Sequence, residues 1–341
     1  MTKLTVSLDA MGGDFGAPVV AKAAVNYLAE NQDVALILVG DQAKISAELN
    51  KLNVTPYERL KIHHTSQQVE MDEPPSQALR NKKDSSMRVA INHVKEGISD
   101  AAVSAGNTGA LMATARYVLK TLPGIDRPAI TSLMPSMYGK TYMLDLGANV
   151  GCSSQHLLQF AVMGAVLASA INGIDQPKVG LLNVGEEEIK GNEQVKEAHE
   201  VLRQSGLNYI GYVEGDDIYC GEVEVVVCDG FVGNVSLKTS EGVAKIVAHY
   251  AKQEFSRNLF TKLCGLAAMP VLKALKTRID PRRYNGASLL GLRGVVVKSH
   301  GGADAFSFQH AIDIARIEAS QQVPEKIESR IEEYLKQDNA A

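Results

Sequence analysis

The chain lacks several features that would quickly assign it to a class of protein. Its 341 residues carry a net charge of −4, so no overall basic field indicates nucleic acid as a partner. Its four cysteines form no C-x-x-C pair, which argues against a zinc site or a disulfide framework and is typical of a reducing cytoplasm. We therefore expect a cytoplasmic protein with no metal and no nucleic acid partner.

Long apolar runs are missing as well. The first residues turn polar too soon for the apolar region of a signal peptide. The longest nearly apolar stretch, residues 157–171, is shorter than the roughly 20 residues that a bilayer-spanning helix requires. We interpret this stretch as a buried core helix.

Common nucleotide and hydrolase motifs are also absent. Gly139-Lys140-Thr141 resembles the end of a Walker A loop, but Met134 occupies the position that requires glycine. No G-x-G-x-x-G opens a helix after a strand, and neither H-E-x-x-H nor G-x-S-x-G occurs. The sequence gives little support for ATP, NAD, metal catalysis or a serine hydrolase, and we expect no cofactor.

What the chain does contain is a repeated alternation of short β-rich runs and longer helical patterns. KLTVSLDA precedes one predicted helix, and VALILVGD precedes the next. This alternation predicts right-handed βαβ crossovers and a largely parallel sheet. The strands are continuous apolar runs, so helices should cover both faces. With no linker dividing the chain, we predict one Rossmann-like, doubly wound α/β domain over residues 1–335, with an inserted helical segment.

The predicted strand ends share a composition rich in glycine and small polar residues. They read LDAMGGD, SAGNTG, LDLGANVG, LNVGEEE, CDGFVGN and KSHGGAD. Ligands of open α/β sheets bind beyond the carboxyl ends of the strands, where helix N-termini favour anions. A single turn of this kind would be an ordinary helix cap. Six in one chain predict a polar rim that binds an anion such as phosphate.

Five ordered motifs resemble the bacterial PlsX family of phosphate acyltransferases. They are LDAMGGDFGAP at 8–18, SAGNTGA at 104–110, DLGANV at 145–150, NVGEEEIKG at 183–191 and CDGFVGNVSLKTSEG at 228–242. The resemblance implies a sheet related to phosphotransacetylases, a homodimer, and transfer of a long-chain acyl group from acyl-acyl carrier protein to inorganic phosphate. Such a product starts phospholipid synthesis and makes a membrane glycerol-phosphate acyltransferase a downstream partner.

This reaction requires phosphate to be held against a thioester carbon while donors stabilise the oxyanion. Neutral side-chain donors, two lysines for phosphate and a histidine for the leaving thiolate are the predicted catalytic groups: Asn107, Thr108, Asn149, Lys190, Asn234, Lys238 and His300. The predicted phosphate- and substrate-binding residues are Asp9, Gly12, Gly13, Gly106, Gly109, Gly147, Asn183, Gly185, Asp229, Gly230, Gly233 and Gly301. Asp145, Asp229 and Asp304 should orient donors or cap helices, since a free carboxylate repels phosphate.

Other mechanisms and functions stay open at this point. A covalent acyl-cysteine could form at Cys228 or at Cys152, where a helix dipole should lower the thiol pKa, but buried cysteine is commonly only a small hydrophobe. We favour direct attack by phosphate. We expect His63 and His64 to lie in a polar loop without a role. The alternative functions are a phosphotransacetylase-like enzyme using short acyl-CoA and a non-catalytic docking module for acyl carrier protein.

Residues 252–280 form a separate amphipathic helical segment. Pro270 predicts two short helices rather than one. Basic residues without an acid accompany the apolar ones between 256 and 278: Arg257, Lys262, Lys273, Lys276 and Arg278. We predict peripheral membrane attachment, with a core-facing pair, the carrier protein or the other subunit as alternatives. The membrane-binding residues would be Leu259, Phe260, Leu263, Leu266, Met269, Leu272 and Leu275.

Overall fold

The computed structural model describes residues 4–338, apart from four side chains, at 276 (Lys276 among the predicted basic residues), 279, 337 and 338. The strands are β1 (Leu4–Asp9), β2 (Val34–Gly40), β3 (Leu60–His64), β4 (Ala101–Ser104), β5 (Ala129–Pro135), β6 (Lys140–Leu144), β7 (Val179–Leu182), β8 (Tyr209–Val213), β9 (Val225–Val227), β10 (Ala287–Leu290) and β11 (Val295–Lys298).

Helices occupy most of the segments between these strands. They are α1 (Ala17–Glu30), α2 (Gln42–Lys51), α3 (Pro75–Asn81), α4 (Ser86–Lys95), α5 (Thr108–Leu119), α6 (Ser154–Asn172), α7 (Glu193–Arg203), α8 (Asp217–Cys220), α9 (Gly230–Ser256), α10 (Leu259–Ala267), α11 (Met269–Ile279), α12 (Ala305–Ser320) and α13 (Val323–Asp338), with a 3-10 helix at Pro281–Tyr284. The predicted α/β class is confirmed.

All the strands form one sheet in the order β3-β2-β1-β4-β11-β10-β5-β6-β9-β7-β8. One group of neighbouring strands is mutually parallel and comprises β3, β2, β1, β4 and β11. A second parallel group comprises β6, β9, β7 and β8. Between the two groups, the pairs β11–β10, β10–β5 and β5–β6 are antiparallel. The sheet is largely parallel as predicted, but the three reversals make the two parallel groups run in opposite directions.

Helices cover both faces of the first group of strands. Val103 and Val297 share a buried cluster with α1, α2 and α12. Their neighbours Ala102 and Val296, which point to the other face, share a cluster with α4 and α5. The helix that follows β4 therefore packs on the opposite face from the helices that follow β1 and β11.

The long apolar stretch predicted as a core helix is α6. Its Leu157 and Phe160 lie in a third buried cluster with β6, β9, α7 and α13. By length and composition, α6 is the one helix in the described residues that could cross a membrane, but 56% of its most apolar window is buried inside the protein. The core-helix interpretation is therefore confirmed.

The predicted amphipathic segment comprises the end of α9, followed by α10 and α11. The two short helices meet at Ala268, close to Pro270, so the predicted break is confirmed. The helix α10 folds back on α9, where Gly265 lies against Phe255. The predicted apolar residues are mostly exposed, except that Leu272 is half-buried.

The histidines at 63 and 64 lie at the end of β3, and the predicted polar loop is wrong. Their polar side chains suggested a loop, but their backbone groups pair with strand β2. His63 Nδ1 lies 3.1 Å from His93 Nε2, and His93 Nδ1 lies 2.8 Å from the Ser7 hydroxyl. The contacts of His63 and His93 therefore join strand β3 to α4 and β1.

Glu318 is a carboxylic acid inside the core. It lies on α12 with 3% of its surface exposed, and its side chain is hydrogen-bonded to the Ser288 hydroxyl of β10. Burial raises the pKa of Glu318 from 4.5 to about 7. The native state thus favours the neutral acid, so the free energy of unfolding should fall as the pH rises from about 4.5 to about 7.

The substitution Glu318→Gln removes this titration and keeps the size of the side chain. We expect the variant and the wild type to differ little in stability near pH 4.5. Above pH 7 the variant should be more stable by about 3 kcal/mol, because each pKa unit corresponds to about 1.4 kcal/mol. Denaturant melts at several pH values measure this, with exposed Glu197→Gln as the matched control. A difference that does not change with pH would contradict the assignment.

Candidate functional site

The polar strand ends lie at two opposite ends of the sheet, measured along the strand direction. The expectation that they form one rim is therefore wrong. We call the carboxyl ends of β1, β4 and β11 the β1 rim, and those of β6, β9 and β7 the β6 rim. The division follows from the strand reversals, which depend on pairing between distant segments. The predicted glycines and Asn183 divide accordingly: Gly12, Gly13, Gly106, Gly109 and Gly301 belong to the β1 rim, and Gly147, Asn183, Gly185, Gly230 and Gly233 to the β6 rim.

At the β1 rim, the Asp9 carboxylate joins two loops. It accepts hydrogen bonds from the backbone N–H groups of Met11 and Gly12 at 3.2 and 3.1 Å, and from the Ser104 hydroxyl at 2.6 Å. Ser104 Oγ in turn accepts from Gly106 N at 3.0 Å. Burial raises the pKa of Asp9, while these hydrogen bonds act in the opposite direction. Asp9 therefore shapes the backbone of the rim.

The loop after β11 closes the same rim. Asp14 N donates to Gly301 O at 2.9 Å, and a Cβ on Gly13 would lie only 2.9 Å from that same oxygen. His300 N donates to Asn285 Oδ1 at 2.8 Å, and the His300 ring is exposed. The ring accepts a backbone N–H at 3.0 Å through Nδ1. His300 is thus held, exposed, at the β1 rim.

The Asn107 side chain is engaged within the protein. Its Oδ1 accepts from Ala110 N at 3.0 Å and caps α5, while its Nδ2 donates to the carbonyls of Met71 and Glu73 at 2.8 and 3.0 Å. Both amide hydrogens therefore attach the 71–73 segment to the rim. The neighbouring Thr108 is exposed at the first turn of α5.

Lys298 is a component of the β1 rim that the sequence analysis missed. It ends β11 with 9% of its surface exposed, and its Nζ donates to Ala105 O at 3.2 Å and to Ser299 O. Burial lowers the Lys298 pKa to about 8, although Asp9 and Asp14 act to raise it. The available signal was the run VVVK, in which a lysine directly ends an apolar strand.

A buried carboxylate also organises the β6 rim. Asp145 Oδ1 accepts from Ile130 N and Ala148 N at 2.8 and 3.2 Å, and Oδ2 accepts from Asn149 N at 2.7 Å. The Asn149 Nδ2 group donates to Asp145 Oδ2 at 3.0 Å and to Pro128 O at 2.8 Å. The Asn149 amide is therefore buried and engaged in holding this turn.

The start of α9 packs directly on this turn, which explains the residues that follow β9. Asp229 Oδ1 caps the helix by accepting two backbone N–H groups at 2.8 and 3.0 Å. Gly233 lies so close to the Asp145 carbonyl that a Cβ there would collide with it. Asn234 Nδ2 donates to Leu146 O at 3.2 Å. Asp229, the glycines and Asn234 thus allow α9 to begin directly against the end of β6.

The two predicted phosphate-binding lysines are exposed and paired with carboxylates. Lys190 Nζ lies 3.8 Å from Glu187 Oε1, and Lys238 Nζ lies 3.0 Å from Glu241 Oε2. Lys238 is also close enough to Lys298 to lower the pKa of Lys298. Lys238 lies on α9, which starts at the β6 rim, and its charge reaches Lys298 at the β1 rim.

Neither cysteine of the β6 rim has the environment of a nucleophile. Burial and the charge of Asp145 raise the pKa of Cys152 to about 11, and burial raises the pKa of Cys228 well above its usual value. The expected lowering of the Cys152 pKa is wrong, because desolvation and the carboxylate outweigh the helix dipole.

The β1 rim has the position and the charge of an anion site. Strand β4 lies at a topological switch point, since α5 leaves on the opposite face from α1 and α12, and ligands of α/β sheets bind at such points. The helices α5 and α12 begin there, and Lys298 adds a buried cation. No group of three or more His, Cys, Asp or Glu side chains within the described residues could hold a metal ion.

The fold defines the structural class of the protein. A phosphotransacetylase from Streptococcus pyogenes has a similar structure, with a TM-score of 0.65 and 18% sequence identity over 93% of this chain and 94% of that one. The predicted relation to phosphotransacetylases is therefore confirmed at the level of the fold.

Sequence comparison identifies the family within this class. A family model described as "Fatty acid synthesis protein" matches residues 4–326. Proteins named phosphate acyltransferase are similar to this chain: that of Alkalilimnicola ehrlichii is 64% identical over 97% of each chain, and that of Nitrosococcus oceani is 62% identical over 97% of this chain and 98% of its own. The chain belongs to the phosphate acyltransferase family.

The raised thiol pKa values predict that neither cysteine is required for turnover. Cys152→Ala and Cys228→Ala should each keep activity within about threefold of the wild type, since a thiol that is not ionised is a weak nucleophile. Steady-state rates measure the effect, and Cys264→Ala, an exposed cysteine on α10, is the control. An acylated Cys152 or Cys228 that forms and decays at the turnover rate would sink this assignment.

Proposed function

We propose that the protein transfers a long-chain fatty acyl group from acyl-acyl carrier protein to inorganic phosphate. The product is an acyl phosphate that a membrane glycerol-phosphate acyltransferase consumes in phospholipid synthesis. Family membership carries the proposal, because relatives named phosphate acyltransferase match nearly the full chain. The β1 rim supports it, because this rim lies at a topological switch point and contains a buried cation.

The proposed reaction is a direct displacement at the β1 rim. A phosphate oxygen attacks the thioester carbon, and a C–O bond replaces the C–S bond through a tetrahedral oxyanion. The thiolate leaves and takes a proton, which the exposed His300 supplies in this proposal. Phosphate is already a nucleophile, so the protein mainly holds the reactants together and stabilises the oxyanion. Thr108 and the backbone N–H groups of the first turn of α5 are the proposed oxyanion donors.

The remaining predicted residues receive positioning or binding roles. Asn107, Asn149 and Asn234 hold the loops through the side-chain hydrogen bonds that each of them makes. Lys238 approaches the β1 rim and adds positive charge toward phosphate. Lys190 lies with Asn183 and Gly185 in the loop after β7, and we assign this loop to the acyl donor rather than to phosphate.

A donor comparison tests the proposed reaction. Purified protein with inorganic phosphate should form acyl phosphate from a long-chain acyl-acyl carrier protein at least tenfold faster than from short-chain acyl-CoA. Trapping the acyl phosphate as a hydroxamate measures the product, and omission of phosphate is the control. Turnover of short acyl-CoA alone would instead indicate a phosphotransacetylase-like enzyme. Carrier-protein binding without product would indicate a docking module.

We also propose that α10 and α11 attach the protein to the cytoplasmic face of a membrane. Leu259, Phe260 and Leu266 are 76, 73 and 65% exposed, which is unusual for large apolar side chains. Exposed cations accompany them along the same segment. Such a surface suits peripheral contact with anionic lipid, where a water-insoluble product would be delivered.

Replacing Phe260 and Leu266 together with glutamate tests the attachment. Each large apolar side chain contributes about 1.5–3 kcal/mol on leaving water, and each nearby Lys or Arg contributes about 1 kcal/mol at an anionic surface. The variant should no longer sediment with anionic vesicles, while its melting temperature stays the same because both residues are exposed. Ile98→Glu, at another exposed apolar residue, is the control. Vesicle binding that survives the double change would rule the surface out.

The family resemblance further implies a homodimer, and α9 offers a surface for it. Val243, Ile246, Val247 and Tyr250 form a stripe at helical spacing, and each is more than half exposed. An apolar stripe of this kind is typical of a protein interface. We therefore propose that a second copy of the chain covers α9.

A further inference from the structure

Lys298 is the one lysine among the buried residues that the structure describes. Lysines almost never lie this deep without a partner, because removing an ammonium group from water is very unfavourable. The side chain also ends a strand of the switch point, where a ligand is expected. Its position therefore needs an explanation beyond the packing of the core.

The hydrogen-bond partners of Lys298 are neutral. Its Nζ donates to Ala105 O at 3.2 Å and to Ser299 O, which belong to the loops after β4 and β11. No carboxylate oxygen in the described part of the chain lies within 4.0 Å of this nitrogen. Two backbone carbonyls stabilise the ammonium group, but they do not neutralise its charge.

Charged groups of both signs lie around Lys298, and none of them forms a direct ion pair with it. Asp9 of β1 and Asp14 of the next loop act on it from a distance, and Lys238 of α9 opposes them. The Asp9 carboxylate is itself occupied by two backbone N–H groups and the Ser104 hydroxyl. A bound anion at the rim would give Lys298 the direct ionic partner that it lacks, and inorganic phosphate is the anion of the proposed reaction.

We propose that Lys298 supplies the positive charge that binds inorganic phosphate at the β1 rim and holds together the two loops that form this phosphate site. The proposal rests on the function proposed above and adds a residue and a subsite to it. The Ala105 carbonyl, which accepts from Lys298, also lies close to Gly13 and Gly301, so the ammonium group is next to the glycines of the rim. A neutral residue at this position would leave the rim without its buried cation.

The test compares the KM for phosphate with the KM for the acyl donor across pH 6.5 to 9.5. In the wild type, the KM for phosphate should rise toward tenfold per pH unit above about pH 8, because deprotonated Lys298 no longer attracts the anion. The KM for the acyl donor should change less than twofold. Lys298→Arg stays charged at every pH used, so its KM for phosphate should lack this rise.

Removing the charge altogether gives the complementary result. Lys298→Met should raise the KM for phosphate at least tenfold at pH 7 and leave no alkaline rise. Lys196→Met, which deletes an exposed lysine on α7, is the matched control and should behave like the wild type. If Lys298→Met does not fold, the comparison of the wild type with Lys298→Arg decides the question. The effects of phosphate ionisation are common to all the proteins and cancel in the comparison.

Two outcomes would overturn the proposal. One is an alkaline rise that persists in Lys298→Arg, and the other is an equal increase of both KM values in Lys298→Met, as for a purely structural residue. Calorimetric titration of phosphate into the donor-free protein separates the proposal from the reaction. Suppose that the wild type binds phosphate but makes no acyl phosphate, and that Lys298→Met does not bind phosphate. This result would refute the proposed function and support the phosphate site.

Discussion

Three consecutive antiparallel pairs in the middle of the sheet determine which polar turns of this protein lie together. The pairs β11–β10, β10–β5 and β5–β6 reverse the direction of the strands between the two parallel groups. The βαβ rules put each turn at the carboxyl end of its own strand, but the reversal decides which turns meet. One set of turns therefore gathers where β1, β4 and β11 end, and a second, separate set gathers at the opposite end of the sheet.

Each rim is built around a buried aspartate, and the two rims differ in the charge beside it. Asp9 and Asp145 both accept backbone N–H groups, which compensate for the desolvation that raises their pKa values. Asp145 also accepts a hydrogen bond from the neutral side-chain amide of Asn149, which closes the turn. Asp9 has Lys298 nearby, and the charge of this lysine is not consumed by a direct ion pair. The β1 rim therefore has a buried cation that the β6 rim lacks, which is why we place the proposed phosphate site at the β1 rim.

The sequence predicted what local patterns determine and missed what distant pairing determines. The six glycine-rich strand ends, the buried helix α6 and the break near Pro270 depend on runs of adjacent residues, and these were predicted. The division into two rims depends on contacts such as Ser288 with Thr131, which lie far apart in the chain. Lys298 was missed for the same reason, because a lysine at a strand end is normally solvated and only the neighbouring loops bury it.

The helix α9 starts at the β6 rim and carries Lys238, whose charge acts on Lys298 at the β1 rim. Its first turn is fixed by the Asp229 cap and by the close approach of Gly233 to the strand end beside it. Beyond that turn, most of its described residues are exposed, so the core of one subunit holds this helix mainly at one end. The proposed second copy would bury the apolar stripe and fix α9 along its length. Since Lys238 lies on this helix, its approach to Lys298 would then depend on dimer formation as well as on the fold of one chain.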